Sequence, residues 1–120
     1  MPETLEWSSL QPLNPTILAE IPETPGAYRL SYKSGDGSYY VFFVGSADTS
    51  LRERLLGHTS GSEGNSCTKT HIQNLECFFR YAVVDKKSLL PGIEKALYHN
   101  YTPKCNLEEP GGEPVEVNFD

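Results

Sequence analysis

"YYVFFVGSADTSLRERLLGH", residues 39–58, is the stretch that decides the fold, because two different periodicities meet within it. Its first part is β-branched and aromatic, which favours a β-strand. The apolar run ends at a glycine, and the polar residues 48–50 offer side chains that can cap a helix. Beyond them, Leu51, Leu55 and His58 recur at the spacing of one helix face. The stretch therefore predicts a strand that leads directly into a helix, and that helix carries two arginines.

A β-hairpin is predicted immediately upstream. The segment "GAYRLSYK", residues 26–33, alternates with the two-residue period of a half-buried strand. "SGDG", residues 34–37, contains Asp-Gly, a turn signal that pairs this strand antiparallel with residues 38–45. Further along, "ECFFRYAVVD", residues 76–85, predicts a third strand, and its continuous apolar character favours a central, two-sided position.

Three more helices are predicted around these strands. Residues 15–21 form a short helix that a following proline ends, and residues 67–75 form a second helix with Ile72 and Leu75 facing inward. The last helix covers residues 91–102, between two prolines. The predicted fold class is therefore α+β, with helices flanking a small three-stranded antiparallel or mixed sheet.

Charge divides the chain into three parts. The net charge is −6, yet the flanks hold the excess, because residues 1–25 carry −4 and residues 108–120 carry −5. The middle, residues 26–107, is +3 and can still present a positive face. At 120 residues the chain has the length of one domain. We expect an N-terminal extension with a short helix over 1–20, one domain over 21–107, and an acidic C-terminal tail.

The length of the apolar runs and the number of cysteines indicate the cellular compartment. The longest apolar runs are far shorter than the roughly 20 residues that a membrane-spanning helix requires, and the N-terminus lacks the pattern of a secretory signal. We therefore expect a cytoplasmic location and no membrane partner. Three cysteines leave one unpaired in any disulfide scheme, so reduced thiols are the simpler interpretation. Cys67, His71 and Cys77 offer zinc ligands as an alternative, although their spacing lacks a paired C-x-x-C.

Four short motifs follow one another in order along the chain. They are "GAY" (residues 26–28), "FVG" (residues 43–45), Arg54 on the following helix, and "IEKALYHNYTPKCN", which contains Glu94, Pro103 and Asn106. In this order and at this spacing they resemble the GIY-YIG nuclease domain over about residues 21–107. The resemblance implies a small stand-alone member of that family, which would be a metal-dependent DNA endonuclease that hydrolyses phosphodiester bonds.

The same resemblance implies functional roles for four side chains. Arg54 is always protonated and can donate two parallel hydrogen bonds to a phosphate that gains charge when it is attacked. Glu94 would supply a carboxylate ligand for Mg²⁺, or for Mn²⁺ in its place. Tyr28 would position or deprotonate the attacking water. His58, one turn beyond Arg54, is an alternative base or phosphate contact, because imidazole titrates nearer neutrality than phenol does.

Two residues depart from the family's pattern. Phe43 stands where the family has its second tyrosine, so that the ring is kept and the hydroxyl is lost. Ser46 stands where the repair-nuclease relatives carry a lysine. Because of Phe43, a catalytically impaired nucleic-acid-binding or adaptor protein on the same fold is the alternative prediction. An unrelated small α+β interaction domain is the third.

DNA is the partner that the resemblance implies. Five basic residues are candidates for contact with its backbone: Lys69, Arg80, Lys86, Lys87 and Lys104. The sequence contains no recognised reader of base edges. Sequence specificity would therefore come from an unidentified partner protein or from another chain.

Overall fold

The computed structural model describes residues 4–60, 64–106, 108–113 and 115–119. The strands are β1 (Gln11–Pro12), β2 (Gly26–Lys33), β3 (Tyr39–Ala47) and β4 (Cys77–Val83). The helices are α1 (Pro15–Leu18), α2 (Leu51–Thr59), α3 (Ser66–Asn74) and α4 (Leu90–Tyr101), with a 3-10 turn at Lys87–Leu89. The predicted α+β class is confirmed. Within the described residues, no helix combines the length and the apolar character needed to cross a membrane.

Across the described residues the sheet has four strands, so the prediction of three is wrong. All its pairs are antiparallel, and the strand order is β1-β4-β2-β3. The additional strand, β1, lies at one edge and places Gln11 opposite Phe79 and Pro12 opposite Phe78. Proline is tolerated at an edge because it cannot donate a ladder hydrogen bond. A strand of two residues shows no alternation, and therefore the sequence pattern did not reveal it.

The predicted hairpin is confirmed as β2 and β3, which pair from Gly26 opposite Ala47 to Lys33 opposite Tyr39, with one register shift after Leu30. Gly37, in the turn between them, has a φ of 88°, a conformation that favours glycine. The register places Tyr28 of β2 directly opposite Gly45 of β3. The two tripeptides that carry the family resemblance are therefore neighbours across one ladder.

β2 is buried on both faces, whereas its sequence predicted a half-buried strand. Its first six residues, 26–31, are all buried. On one face Tyr28 and Leu30 join a core cluster that includes residues of α1 and α2, and on the other face Ala27 joins a cluster with α4. The alternation of residue types did not predict this, because it cannot show that helices cover both faces. β4 has the interior position predicted for it, between β1 and β2, and it contributes to both core clusters, with Cys77 and Phe79 in one and Ala82 in the other.

The helices begin close to the predicted caps, but α3 turns a different face to the core. Ser50 caps α2, one of the predicted choices, and Asn65 caps α3 in place of Ser66. Thr68 is fully buried, while Leu75, predicted to face inward, is 41% exposed. Leu75 is the C-cap of α3 and has an extended backbone, so helical spacing no longer directs its side chain.

Both flanking segments contact the face of the sheet that α4 covers. The Asn118 side chain accepts a hydrogen bond from the backbone N–H of Leu5 and donates one to its carbonyl, at 2.6 and 2.8 Å. The indole of Trp7 donates to the Asn118 carbonyl at 2.9 Å. Arg29 of β2 lies between the rings of Trp7 and Tyr101, 4.6 and 5.1 Å from their centroids. The described parts of the N- and C-terminal segments thus complete this side of the core.

Candidate functional site

Two adjoining cavities open near the C-terminal end of β3, an edge strand of the sheet. The larger, which we call the Glu94 cavity, has a volume of about 520 Å³, and its polar lining includes Ser46, Asp48, Glu53, Arg54 and Glu94. The smaller, which we call the His58 cavity, has a volume of about 440 Å³ and is lined by residues that include Phe43, Arg54, His58 and Asn65. Arg54 lines both cavities and therefore stands between them.

Arg54 and Glu94 meet in one cavity although their helices pack on opposite faces of the sheet. Leu55 of α2 belongs to one core cluster, and Ile93 of α4 belongs to the other. Since β3 is an edge strand, side chains from both helices can reach around its end. Two residues predicted for the site are thus brought together by the topology.

The Glu94 carboxyl is half-buried and interacts with three side chains of the Glu94 cavity. Burial raises its pKa, and the neighbouring Asp48 carboxylate acts in the same direction. The positive charge of Arg54 and hydrogen bonds from the hydroxyl and the backbone N–H of Ser46 lower the pKa, but burial is the largest cause and the net direction is upward. Glu94 is therefore a desolvated carboxyl that a nearby cation would hold in its ionised form.

Tyr28 and His58 form a hydrogen-bonded pair beside this cavity. The Tyr28 hydroxyl and the Nε2 atom of His58 are 2.7 Å apart. The Phe43 ring packs against both, with ring centroids 5.0 Å from His58 and 6.2 Å from Tyr28. Tyr28 is completely buried, whereas His58 retains 8% exposure and lines the His58 cavity. Of the two, His58 is the residue that a bound molecule can reach.

Because Gly45 has no side chain, the Tyr28 hydroxyl can occupy the space next to it. A Cβ atom added at Gly45 would lie 2.6 Å from the Tyr28 hydroxyl oxygen and 2.7 Å from its ring carbon Cζ. Because Tyr28 is fully buried and bonded to His58, its ring has no free space into which to move. The glycine of the "FVG" tripeptide therefore has a steric role in seating the Tyr28–His58 pair.

We expect Gly45→Ala to lower the free energy of unfolding by about 1–3 kcal/mol, the range typical of overpacked cores. Gly57→Ala is the matched control, because nothing lies within 4 Å of a Cβ added there. In the interior of α2 that alanine is expected to stabilise the protein by about 0.5–1 kcal/mol. Urea unfolding of both variants measures the difference, and equal stabilities would contradict the close contact at Gly45.

Two asparagines hold the chain around the His58 cavity. The Asn106 side chain accepts a hydrogen bond from the backbone N–H of Val44 and donates one to its carbonyl, both at 2.9 Å. This pairing fastens the segment after α4 to β3, one residue before Gly45. Asn65, which lines the cavity, donates to the carbonyl of Cys105 at 2.7 Å. Asn106 of the last motif therefore has a structural role that its sequence position alone did not indicate.

The cysteines are arranged differently from the sequence-based expectation of three reduced thiols. Cys67 and Cys105 form a disulfide, and Cys77 is a free, buried thiol. Burial raises the pKa of Cys77 to about 11, so this thiol stays protonated at neutral pH. The Cys77 thiol donates to the carbonyl of His71 at 3.3 Å, and the cysteine whose sulfur lies near Cys67 and His71 is Cys105. The ligand set Cys67, His71 and Cys77 is therefore not assembled.

The five basic residues proposed for DNA contact do not gather at the site. Among the residues that line the two cavities, none of the five is present. Arg80 donates from Nε to the carbonyl of Ser8 at 2.8 Å, which ties it to the N-terminal segment. Lys86, Lys87 and Lys104 are exposed. Arg54 is thus the basic side chain that the described structure places in the cavities.

Several polar residues of the Glu94 cavity were not predicted from the sequence. Ser46 was noted only as a departure from the family's pattern, and Asp48 only as a possible helix cap, yet both act on Glu94. Their signal is position, since Ser46 is one of the last two residues of β3 and Asp48 directly follows the strand. Glu53 carried no such signal.

Comparison of the chain with protein-family models, with curated proteins and with solved structures finds no match.

Proposed function

We propose that the protein is a metal-dependent DNA endonuclease that hydrolyses phosphodiester bonds and resembles the GIY-YIG nucleases. One observation supports this most strongly: Arg54 and Glu94, from helices on opposite faces of the sheet, line a single cavity. The Tyr28–His58 pair lies beside it, and Arg54 also lines the cavity of His58. A cation, a carboxylate and a proton acceptor are the groups that phosphodiester hydrolysis requires.

The charges of the Glu94 cavity fit a divalent ion. Its lining includes three carboxylates, on Asp48, Glu53 and Glu94, against the single guanidinium of Arg54. Magnesium is bound by one or two carboxylates and keeps several waters, which leaves room for a phosphate oxygen. Glu94, with Asp48 beside it, would hold Mg²⁺ or Mn²⁺. When bound, the ion would polarise the phosphate and neutralise charge on the leaving oxygen.

Three side chains of the protein are assigned the remaining roles in hydrolysis. Arg54 is placed to donate hydrogen bonds to the phosphate oxygens, where it stabilises charge that develops during attack. His58 is placed to accept the proton of the attacking water, because it lines the His58 cavity while Tyr28 is fully buried. Tyr28, hydrogen-bonded to Nε2 of His58, orients the imidazole. Tyr28 is thus a positioning residue in this proposal.

A catalytically impaired nucleic-acid-binding or adaptor protein is the second candidate function. It is favoured by Phe43, which contacts His58 with a ring that has no hydroxyl. If the second tyrosine's hydroxyl were the essential proton acceptor, the chain would bind DNA without cutting it. If His58 accepts the proton of the attacking water, as proposed, the hydroxyl of the second tyrosine is not needed. Salt-dependent DNA binding without nicking is the result that distinguishes this candidate from the first.

Nicking of supercoiled plasmid tests the proposed function. Purified protein is incubated with plasmid in magnesium, in manganese and in EDTA, and the conversion to open-circular DNA is measured. The proposal predicts nicking in either metal and none in EDTA. DNA binding is measured in parallel over a range of salt concentrations. Binding that weakens with salt while the plasmid stays intact would support the adaptor, and the absence of both would contradict any nucleic-acid function.

Arg54→Ala is expected to lower the nicking rate by about 10²–10³-fold, the usual cost of removing one donor that stabilises transition-state charge. Arg52→Ala is the matched control on the same helix. Arg52 donates to the carbonyl of Ile21 at 2.8 Å and lies 3.5 Å from the Glu23 carboxylate, away from the residues that line the cavities. Its loss should alter stability and leave the rate close to that of the wild type. Equal effects of both substitutions on the rate would contradict the role assigned to Arg54.

A further inference from the structure

Cys67, His71 and Cys105 form a cluster whose ligand atoms all lie within 4.8 Å of one another. The Nδ1 atom of His71 is 3.4 Å from the Cys105 sulfur and 3.9 Å from the Cys67 sulfur. Among the described residues, this is the group of three cysteine, histidine or acidic side chains that is close enough to hold one ion. It lies outside the two cavities, and the proposed nuclease activity makes no use of it.

The distances to His71 agree with tetrahedral zinc coordination. With Zn–S bonds of about 2.3 Å and Zn–N bonds of about 2.0 Å, a tetrahedral angle separates sulfur from nitrogen by about 3.5 Å and sulfur from sulfur by about 3.8 Å. Both sulfur–nitrogen distances are already close to this value. Only the sulfur–sulfur distance differs, because the two cysteines are joined in a disulfide. Reduction of that bond would therefore leave three ligands at nearly the required spacing.

The backbone around the cluster holds these three residues in place independently of the disulfide. Cys67 and His71 are four residues apart on α3, and so they share one helix face. The His71 ring stacks on Phe42 with centroids 4.7 Å apart. Cys105 donates from its backbone N–H to the Phe42 carbonyl at 2.8 Å and accepts from the Asn65 side chain at 2.7 Å. A reduced chain would keep all these contacts, so the ligands would remain close together.

From these observations we infer that the reduced chain binds one thiophilic divalent ion, Zn²⁺ by chemical preference, through Cys67, His71 and Cys105. Thiolate and imidazole are the ligands that zinc prefers, and three protein ligands leave a fourth position for water. Binding displaces the hydrogen bond between Nδ1 of His71 and the Cys67 carbonyl, which is 2.8 Å long. The ion ties α3 to the segment that follows α4, as the disulfide does in the oxidised chain.

The metal-bound and disulfide states exclude each other, because both use the same two sulfurs. A small-molecule disulfide can convert one state into the other. It takes two electrons from the Cys67 and Cys105 thiolates, a bond forms between their sulfurs, and the oxidant leaves as two thiols after taking up two protons. The zinc ion is released at the same time. Zinc affinity is therefore expected to depend on the redox state of this pair.

Zinc titration of the full chain in both redox states tests the inference. The protein is reduced with a phosphine, desalted without oxygen, and titrated with zinc against a chromophoric chelator. With magnesium in excess to occupy the Glu94 cavity, we expect the reduced chain to bind one zinc ion that the oxidised chain does not bind. Cys67→Ser and Cys105→Ser are each expected to weaken binding by more than about 100-fold, because loss of a ligand exceeds the usual cost of losing an outer-shell partner. Cys77→Ala, the matched control, should bind as the wild type does.

Alkylation of the wild-type chain supplies a second test that needs no variant. Zinc should protect Cys67 and Cys105 of the folded, reduced protein from an alkylating reagent, as mapped by mass spectrometry of the peptides. A reduced chain that binds zinc no more tightly than Cys67→Ser would overturn the inference. So would zinc binding by the oxidised chain as tight as that by the reduced chain, loss of binding in Cys77→Ala, or equal alkylation of Cys67 and Cys105 with and without zinc.

Discussion

Glu94→Gln is expected to lower the rate of magnesium-dependent plasmid nicking by about 10³-fold or more, because a bound metal contributes several kcal/mol to phosphoryl-transfer transition states. Glutamine keeps the shape of the side chain and can still accept the hydrogen bonds from Ser46. It lacks the negative charge that would hold the ion. The measurement is single-turnover conversion of supercoiled to open-circular DNA. Glu20→Gln is the matched control, since it removes an exposed carboxylate outside both cavities.

The same substitution, which lowers the nicking rate, is expected to raise the stability of the protein. Burial raises the pKa of Glu94 in the folded protein above its unfolded value. A carboxyl with a raised folded pKa favours folding at low pH, and that contribution is lost as the pH rises through the folded pKa. Ionisation of Glu94 in the folded protein therefore costs stability, and Glu94→Gln removes that cost. Urea unfolding at pH 4 and at pH 7 should show the stability of the variant increasing relative to that of the wild type as the pH rises.

Loss of activity together with a gain of stability would show that the carboxylate serves the site and not the fold. A variant that is inactive and also less stable than the wild type at neutral pH would instead indicate a damaged structure. A variant that retains the wild-type nicking rate would remove Glu94 from the proposed metal site.

His58→Gln is expected to lower the nicking rate by about 10²–10⁴-fold, the usual contribution of a general base. The pH dependence provides a more specific test. A protonated imidazole cannot accept a proton, so the wild-type rate should fall as the pH is lowered. With magnesium at a saturating concentration, which opposes loss of the ion from a protonated Glu94, the residual rate of His58→Gln should lack that acidic limb. A variant that keeps the wild-type pH profile would show that another group accepts the proton.

Tyr28→Phe is the informative companion to His58→Gln. It removes the hydroxyl that lies 2.7 Å from Nε2 of His58 and keeps the buried ring. If Tyr28 acts through His58, this variant should be slower than the wild type and should still lose activity at low pH. If Tyr28 itself accepted the proton, Tyr28→Phe would be the more damaging substitution and His58→Gln would keep the wild-type pH profile.

Local patterns in the sequence were sufficient for the hairpin, for α2 and for α4. Residue alternation and Asp-Gly defined β2 and β3, and helical spacing placed Leu51, Leu55 and His58 on the buried face of α2. These elements have strong periodicity and clear capping or turn residues. They also carry Tyr28, Arg54 and Glu94, and therefore these predicted site residues fell on elements whose type was predicted correctly and whose boundaries were predicted to within two residues.

Features that depend on distant contacts were not predictable from local pattern. β1 is two residues long and exists because its neighbours hold it against β4. Burial of both faces of β2 depends on where the helices and flanking segments pack. The joining of Cys67 to Cys105 depends on how α3 meets the segment after α4. In each case the decisive partner lies far away in the sequence, beyond the reach of a periodicity window.

The meeting of Arg54 and Glu94 in one cavity also depends on contacts between distant parts of the sequence. No spacing indicates that α2 and α4, which lie on opposite faces, place these side chains in one cavity around the end of β3. The acidic lining from Asp48 and Glu53 was also hidden, because these residues appear in sequence as an ordinary cap and an ordinary helix surface.

The most direct test is the rate at which the wild-type chain nicks supercoiled plasmid when magnesium is the only divalent ion, measured beside Glu94→Gln purified in the same way. We predict nicking by the wild type, suppression by EDTA, and no nicking above background by the variant. Equal rates in the two preparations, or an intact plasmid with the wild type in both magnesium and manganese, would contradict the proposed endonuclease activity.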